Sequence, residues 1–169
     1  MAAFFNNIVL ELPDITKIEF KKIDRKYFKV ILVVYFLFFI SLFIGLVLLH
    51  QFLFLEELKA YIIFLYTFFI IIFGFIFLYL KLGFPMKKYA LRERDISYKS
   101  GLLIKKITTV PFSRIQHVEI DEKPISRLFG LASLSVYTAG DSSDDLVVKG
   151  LKKEVAIQLK EFIITKIDE

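Results

Sequence analysis

The chain has 169 residues, of which 56% are hydrophobic and 20 are phenylalanine, and its mean hydropathy of +0.61 lies above the usual range for soluble proteins. The sequence contains no cysteine, which excludes a disulfide framework, a thiol nucleophile and a thiolate metal site. The net charge of +5 is modest and acidic residues lie among the basic ones, which argues against a nucleic acid partner.

Residues 1–29 form a basic segment that we expect to lie in the cytoplasm. On a helix, the stretch from Lys17 to Lys29 would place Phe20, Ile23 and Tyr27 on one side, with basic groups beside them. That pattern suits the surface of an anionic leaflet. A positively charged stop for membrane insertion is the simpler interpretation of the same residues.

Residues 30–85 are predicted to form a transmembrane hairpin of two helices, at about 30–49 and 60–80. Neither run contains a charged residue, and twenty helical residues span roughly 30 Å, the thickness of the hydrocarbon core. Basic residues precede the first run and follow the second, so both termini are expected on the cytoplasmic side. A buried hairpin in a soluble protein is the alternative, but the chain has too little other apolar material to cover it.

Residues 86–169 are predicted to form one small cytoplasmic domain. Two extended pieces flank a turn at Glu93 to Asp95, a strand is expected directly after Gly101, and three later stretches alternate with the period of a strand: RIQHVEID, LASLSVYTAG and DLVVKG. After Gly150 the period becomes helical, with an apolar face made of Val155, Ala156, Leu159, Phe162, Ile163 and Ile167. The pattern predicts an α+β domain, an open barrel or sandwich closed by the C-terminal helix.

Several motifs in this domain occur together in a fixed order. They are Gly101 to Leu103, Pro111 with Arg114, Ile115 and Gln116, Arg127 ahead of Gly130 and Leu131, Thr138 to Gly140, and Gly150 with Leu151. Together with the preceding hairpin, this order resembles the bacterial pleckstrin-homology-like (PH-like) domain of the YdbS-type membrane proteins. The resemblance covers about residues 23–169.

The resemblance implies a strongly bent sheet of seven strands that is closed by one helix and held at the cytoplasmic face of the bacterial plasma membrane by the hairpin. It also suggests a setting in envelope stress or antimicrobial resistance, and pairing with a larger multi-helix relative. It implies no settled biochemical activity, so it identifies a scaffold more firmly than a function.

Arg114, Gln116 and Arg127 are the candidate residues for binding a ligand or partner. Their long polar side chains could instead be structural, bonding backbone carbonyls at a strand entry or tying a corner to a sheet edge. The functional alternative is a small anion site that faces the membrane and takes a phospholipid headgroup. The motif residues expected to have structural roles are Gly101, Pro111, Gly130, Leu131, Gly140 and Gly150.

Catalysis and metal binding find little support in the sequence, and we expect no cofactor. In the predicted topology, His50 and His117 lie on opposite sides of the bilayer, so they cannot share a site. Acidic residues in predicted loops could gather a hard cation, although solvated loop acids are the commoner explanation: Glu119, Asp121, Glu122, Asp141, Asp144 and Asp145. The helices contain no charge that would mark an ion path.

The sequence therefore predicts a non-enzymatic, membrane-anchored binding or scaffold protein. Assembly with a related membrane protein or with itself at the cytoplasmic face is the first mechanism, because tethering raises the effective concentration of neighbours in one membrane. Sensing of an anionic phospholipid headgroup is the alternative.

Overall fold

The computed structural model describes residues 19–53, 61–138 and 146–168, with only the backbone for Leu53 and Asp168. Gly140 of the predicted motif and the loop acids Asp141, Asp144 and Asp145 lie outside the described residues.

The elements in chain order are β1 (Lys21–Lys22), α1 (Lys26–Leu53), α2 (Ile62–Gly83), β2 (Lys88–Leu91), β3 (Asp95–Ser100), β4 (Lys106–Pro111), β5 (Ile115–Asp121), α3 (Pro124–Leu128), β6 (Leu131–Thr138), β7 (Leu146–Lys152) and α4 (Lys153–Asp168). Short 3-10 turns join α2 to β2 at Phe84–Met86 and β4 to β5 at Phe112–Arg114.

Helices α1 and α2 have the length and composition needed to cross a membrane, over Lys26–Phe52 and Ile62–Met86. Aromatic rings hold them together, as Phe39 meets Phe73 with ring centroids 5.1 Å apart, and Phe43 meets Phe69 at 5.8 Å. The hydroxyl of Tyr35 donates a hydrogen bond to the carbonyl oxygen of Phe73. No side chain of α2 is buried, so its surface is open to lipid or to other helices.

The strands form two antiparallel sheets, with the orders β1-β2-β3-β4 and β5-β6-β7. Helix α4 packs across the second sheet and buries Ala156, Leu159 and Ile163 in the core. On the strands, the alternation places Leu134 and Val136 of β6 in the same core. Two helices followed by antiparallel sheets and a C-terminal helix agree with the α+β architecture predicted from the sequence.

The segment before α1 belongs to this domain. Lys21 pairs with Tyr89 and Lys22 with Lys88. Strand β1, which precedes the hairpin in the sequence, therefore joins the sheet of β2, which follows the hairpin. Ile23 is buried in the core. Helix α1 begins only at Lys26, so the part of the considered helix that lies at residues 19–25 is not helical. The backbone of Lys21 and Lys22 finds its partners in the edge of β2 instead.

A second difference concerns the chain after Gly101. The sequence predicted a strand from Leu102 onward, but β4 begins at Lys106 and the residues Leu102–Ile104 form the turn from β3. Gly101 has a φ of +101°, and a Cβ there would meet the backbone carbonyl of Ile104. The tight turn therefore requires glycine and turns the chain before the next strand begins.

The antiparallel course of the strands gives the domain two ends. We call the end that adjoins the long helices the helix-side end: it comprises the Phe84–Met86 turn, the turn Gly101–Lys105, α3 and Gly150. The far end comprises the turn Arg92–Arg94, the Phe112–Arg114 turn and the last turn of α4. At the far end, the N–H of Phe112 donates to the carbonyl oxygen of Arg94 at 2.9 Å.

Candidate functional site

The three residues predicted to bind a ligand do not come together. Arg114 lies at the far end, directly before β5, whereas Arg127 lies in α3 at the helix-side end, after β5. The seven residues of β5 separate them by roughly 20 Å, at about 3.4 Å per residue. Gln116 lies on β5 at the irregularity in its pairing with β6. One anion site holding both arginines is therefore not formed, and only Arg127 is on the side of the long helices.

All three side chains are exposed. Within the described part of the chain, neither arginine makes a side-chain hydrogen bond or ion pair, so the structural ties considered for them are not seen there. Backbone hydrogen bonds, not the Arg127 side chain, hold the turn at the end of α3. The carbonyl oxygen of Arg127 accepts from the N–H of Gly130 at 3.0 Å, and Gly130 ends α3 with a φ of +67°.

Gly150 joins the domain to the first long helix. Its φ is +77°, and a Cβ at this position would lie 2.6 Å from Cδ1 and 2.7 Å from Cβ of Tyr27. Its carbonyl oxygen accepts a hydrogen bond from the N–H of Asp24 at 2.9 Å. The absence of a side chain thus lets β7 approach the start of α1 closely.

The far end contains a cavity of about 750 Å³ between the Phe112–Arg114 turn and the last turns of α4. Its apolar wall includes Phe112 and Phe162, whose ring centroids are 6.2 Å apart, and its rim carries Glu93, Arg94 and Lys166. A mixed rim of one acid and two bases favours no single charge class of ligand. Arg114 follows two lining residues, Phe112 and Ser113, along the chain.

The helix-side end contains a cleft with a different character. It has a volume of about 400 Å³, and its three charged lining residues, Lys22, Arg25 and Lys87, are all basic. The rings of Phe28 and Phe84 meet below them with centroids 5.2 Å apart. We call this cleft the basic cleft. It can hold an anionic group over an apolar floor, which is the character of a phospholipid at its headgroup.

Lys87 is the most enclosed cation of the basic cleft. Burial lowers its pKa, and the positive charge of Lys149 lowers it further. Its Nζ lies 5.7 Å from the centre of the Tyr27 ring, at the face of an aromatic group. No described carboxylate forms an ion pair with Lys87, Lys22 or Arg25. An anion bound between them would therefore offset a repulsion that the protein itself leaves in place.

Neither the basic cleft nor Lys87 was predicted from the sequence as part of a site. The basic residues before the first apolar run were interpreted as a leaflet-binding surface or as a stop for insertion, and those after the second run only oriented the hairpin. The positions of Arg25 and Lys87 could have predicted the cleft. Arg25 directly precedes the first helix and Lys87 follows the second, and an antiparallel hairpin brings these two helix ends together.

The two histidines lie far apart in the fold. His117 stacks on the ring of Tyr137 with centroids 4.2 Å apart, while His50 lies near the end of α1, with Nδ1 3.3 Å from the hydroxyl of Tyr66. Among residues 19–53, 61–138 and 146–168, no group of three His, Cys, Asp or Glu side chains is arranged to hold a metal ion.

Comparison with known proteins identifies the family to which this chain is similar. Residues 28–166 match the family model described as the bacterial PH domain. The chain is 26% identical over 88 residues to the UPF0699 transmembrane protein YdbS of Bacillus subtilis, an alignment covering 52% of this chain and 54% of the relative. The chain thus spans about half the length of this curated relative.

Among solved structures, the chain is similar to a DUF1696 family protein with a pleckstrin-homology domain from Shewanella loihica. The two are 20% identical, with a TM-score of 0.36 over 48% of this chain and 70% of that one.

Proposed function

The chain belongs to the bacterial PH domain family, in its YdbS-type branch, and from this premise we propose that it is a membrane-anchored binding protein without enzymatic activity. In this proposal α1 and α2 cross the plasma membrane, both termini face the cytoplasm, and the domain assembles with a membrane protein or with a second copy of the chain. The name of the Bacillus relative, a transmembrane protein, supports the membrane location.

The observation that carries the proposal is that the hairpin and the domain share one core. Strand β1 before the hairpin pairs with β2 after it, Ile23 is buried among the domain's side chains, and Tyr27 of α1 lies against Gly150. A domain attached by both ends of the hairpin cannot turn freely on a linker. It holds one orientation to the bilayer and presents the same surfaces to every neighbour in the membrane.

Fixed orientation favours assembly within the membrane. Two proteins held in one bilayer at matching heights meet at high effective concentration, so a modest contact area suffices for a stable complex. The surfaces available for such contact are the open faces of α2, where Phe75 is 70% exposed, and the far end with its cavity.

The test is site-specific photo-crosslinking of the full-length protein in its native membranes. A photoreactive residue replaces Phe75 on α2 in one variant and Ser113 at the far end in another. We expect at least one of these variants to give a discrete adduct with one membrane protein or with a second copy, identified by mass spectrometry.

The matched control places the same group at Tyr35, which is 6% exposed and packed between the helices. That variant should give adducts within its own chain only. Absence of any discrete protein adduct from both Phe75 and Ser113 would contradict assembly as the function.

A second candidate function, sensing of an anionic headgroup, is favoured by the basic cleft. Three cations without an ion-pair partner in the described residues border an apolar floor beside the ends of both long helices. A bound phospholipid would place its phosphate group among the three cations and its acyl chains against the apolar floor, directed toward the helices. We expect purified protein to retain an anionic lipid, measured by lipid mass spectrometry, and the variant Lys87→Gln to retain less of it. The matched control Lys160→Gln, on α4, should retain as much as the unmodified protein.

A further inference from the structure

Three aliphatic side chains of the domain are almost fully open to their surroundings. Leu103 is 81% exposed, Ile104 84% and Leu128 83%. The other large hydrophobic side chains described after Lys87 that are exposed reach 44% at most. A leucine or isoleucine held at the tip of a turn in this way loses favourable free energy unless something apolar covers it.

All three side chains lie at the helix-side end. The turn from β3 to β4 packs on α2, since a Cβ at Gly83 would lie 3.7 Å from Cβ of Leu102, the residue before Leu103. That turn and helices α1 and α2 together line a small cavity that includes Ile31, Tyr79 and Leu80. Leu103 and Ile104 therefore lie beside the end of the hairpin where it would leave the bilayer.

Helix α3, which carries Leu128, packs near the start of α1. Pro124 and Ile125 of α3 line an apolar cavity of about 620 Å³ with the first turns of α1, including Val30 and Val34. Positions three and four apart on a helix share a face, so Leu128 lies on the side of α3 that carries Pro124 and Ile125. Leu128 thus lies two residues beyond the part of α3 that lines this cavity, with its side chain 83% exposed.

The two segments have the same composition. Gly101–Lys106 reads GLLIKK and Lys123–Leu128 reads KPISRL, so each combines apolar tips with two basic residues and contains no acid. The four basic side chains are exposed: Lys105, Lys106, Lys123 and Arg127. Apolar groups beside uncompensated positive charge match the boundary between acyl chains and anionic headgroups.

We propose that these two segments, which we call the insertion turns, dip into the cytoplasmic leaflet beside the hairpin. Their apolar tips enter the acyl boundary, and their basic residues contact anionic phosphate groups above it. The proposal rests on the membrane-anchored part of the proposed function. It adds that the domain itself lies on the bilayer, rather than being suspended from it.

Lipid is the occupant that the geometry favours over a protein. The insertion turns flank the same part of the hairpin, because the cavities beside them share Ile31 of α1 and Leu80 of α2. In the proposed topology the bilayer surrounds this apolar surface and reaches both turns at once. The exposed aliphatic tips and the basic residues beside them match the acyl chains and the anionic headgroups of that same leaflet.

Tryptophan fluorescence tests the proposal directly, because the sequence contains no tryptophan. Single variants Ile104→Trp and Leu128→Trp are prepared in the full-length protein and placed in nanodiscs of phosphatidylcholine and phosphatidylglycerol. The control Ser113→Trp carries its probe on the exposed far end. Phospholipids brominated on their acyl chains quench only those probes that reach the hydrocarbon.

We expect the emission of the 104 and 128 variants to shift to shorter wavelength and to lose most of its intensity with brominated lipid, while the Ser113→Trp emission stays unchanged. Replacing Lys105 and Lys106 by Gln in the Ile104→Trp protein should reduce its quenching in discs containing phosphatidylglycerol. The positions are exposed, so the substitutions leave the core intact, and circular dichroism confirms folding.

If both probes behave like the Ser113→Trp control, the insertion turns do not enter the bilayer and the proposal is wrong. A second outcome is that both tryptophan probes are unquenched in pure lipid, while a photoreactive residue at position 104 or 128 crosslinks to a protein in native membranes. A protein then covers the insertion turns, and the lipid proposal is likewise overturned. The second result would leave assembly as the proposed function intact, so the two failures are distinguishable.

Discussion

The two ends of the domain differ in how they are held together and in what they expose. At the helix-side end, β1, Ile23, Tyr27 and Gly150 join the domain to the hairpin through buried contacts. At the far end, Phe112 is buried in the core, but the turn Arg92–Arg94 carries an exposed ion pair between Arg92 and Asp95 at 2.6 Å. The difference teaches that substitutions which break the buried contacts with the hairpin should cost more stability than substitutions at exposed positions of the far end.

The largest expected effect is that of Gly150→Ala. A side chain there would force a positive φ on alanine and collide with Tyr27, for a combined cost of about 2–5 kcal/mol in the free energy of unfolding. Chemical denaturation in detergent measures it. The matched control is Gly130→Ala, where φ is also positive but no atom lies within 4 Å, so only about 1–2 kcal/mol should be lost. Equal losses at the two positions would show that the contact with Tyr27 does not join the two parts.

A smaller effect is expected from the titration of Tyr98, on β3. Burial raises its pKa to about 12, and the nearby Tyr27 adds to the shift. The folded state therefore holds the phenol proton where the unfolded chain, with a pKa near 10.0, releases it. This contribution to stability is complete below pH 10 and is lost as the pH rises to about 12.

Unfolding midpoints measured between pH 9 and pH 12 test this expectation. The variant Tyr98→Phe should show a shallower fall over that range, because it has no proton to lose at this position. An unchanged slope in Tyr98→Phe would place the alkaline sensitivity elsewhere.

The smallest effect is expected at the far end, from Arg92→Ala. The guanidinium donates to both carboxylate oxygens of Asp95, at 2.7 and 2.6 Å, but its side chain is 42% exposed. Exposed pairs of this kind contribute about 0–1 kcal/mol. The midpoint of thermal unfolding should fall by a few degrees at most. A loss of stability as large as that of Gly150→Ala would contradict the distinction between the two ends.

Much of the fold could be predicted from the sequence because its signals are local. Uninterrupted apolar runs predicted the hairpin. Helix α1 begins at Lys26, ahead of the apolar run, because lysine stems can lie along a helix while their charges stay in water, and it continues past His50 to Leu53. The helical period after Gly150 predicted α4, which begins at Lys153, once β7 has ended. Alternation in RIQHVEID and LASLSVYTAG predicted strands that became β5 and β6.

What could not be predicted depends on contacts between distant parts of the chain. Two lysines carry no strand pattern, and β1 exists only because the edge of β2 is available to it. The separation of Arg114 from Arg127 was accessible in principle, since a strand was predicted between them. The strand pattern alone extended over Leu102–Ile104, because a run of three aliphatic residues has the composition of a strand, whereas the family resemblance implied a Gly-Leu-Leu turn at Gly101 to Leu103. The positive φ of Gly101 produces that turn, and β4 begins only after it.

The pairing of Lys21 with Tyr89 also constrains the order of events during synthesis. The first sheet cannot be completed until the ribosome has made both long helices and delivered β2. If only one helix crossed the bilayer, β1 and β2 would emerge on opposite sides and could never meet. In the proposed topology, completion of the sheet therefore depends on insertion of both helices, and a chain that inserted only one would leave the edge of β2 unpaired and open to association with another chain.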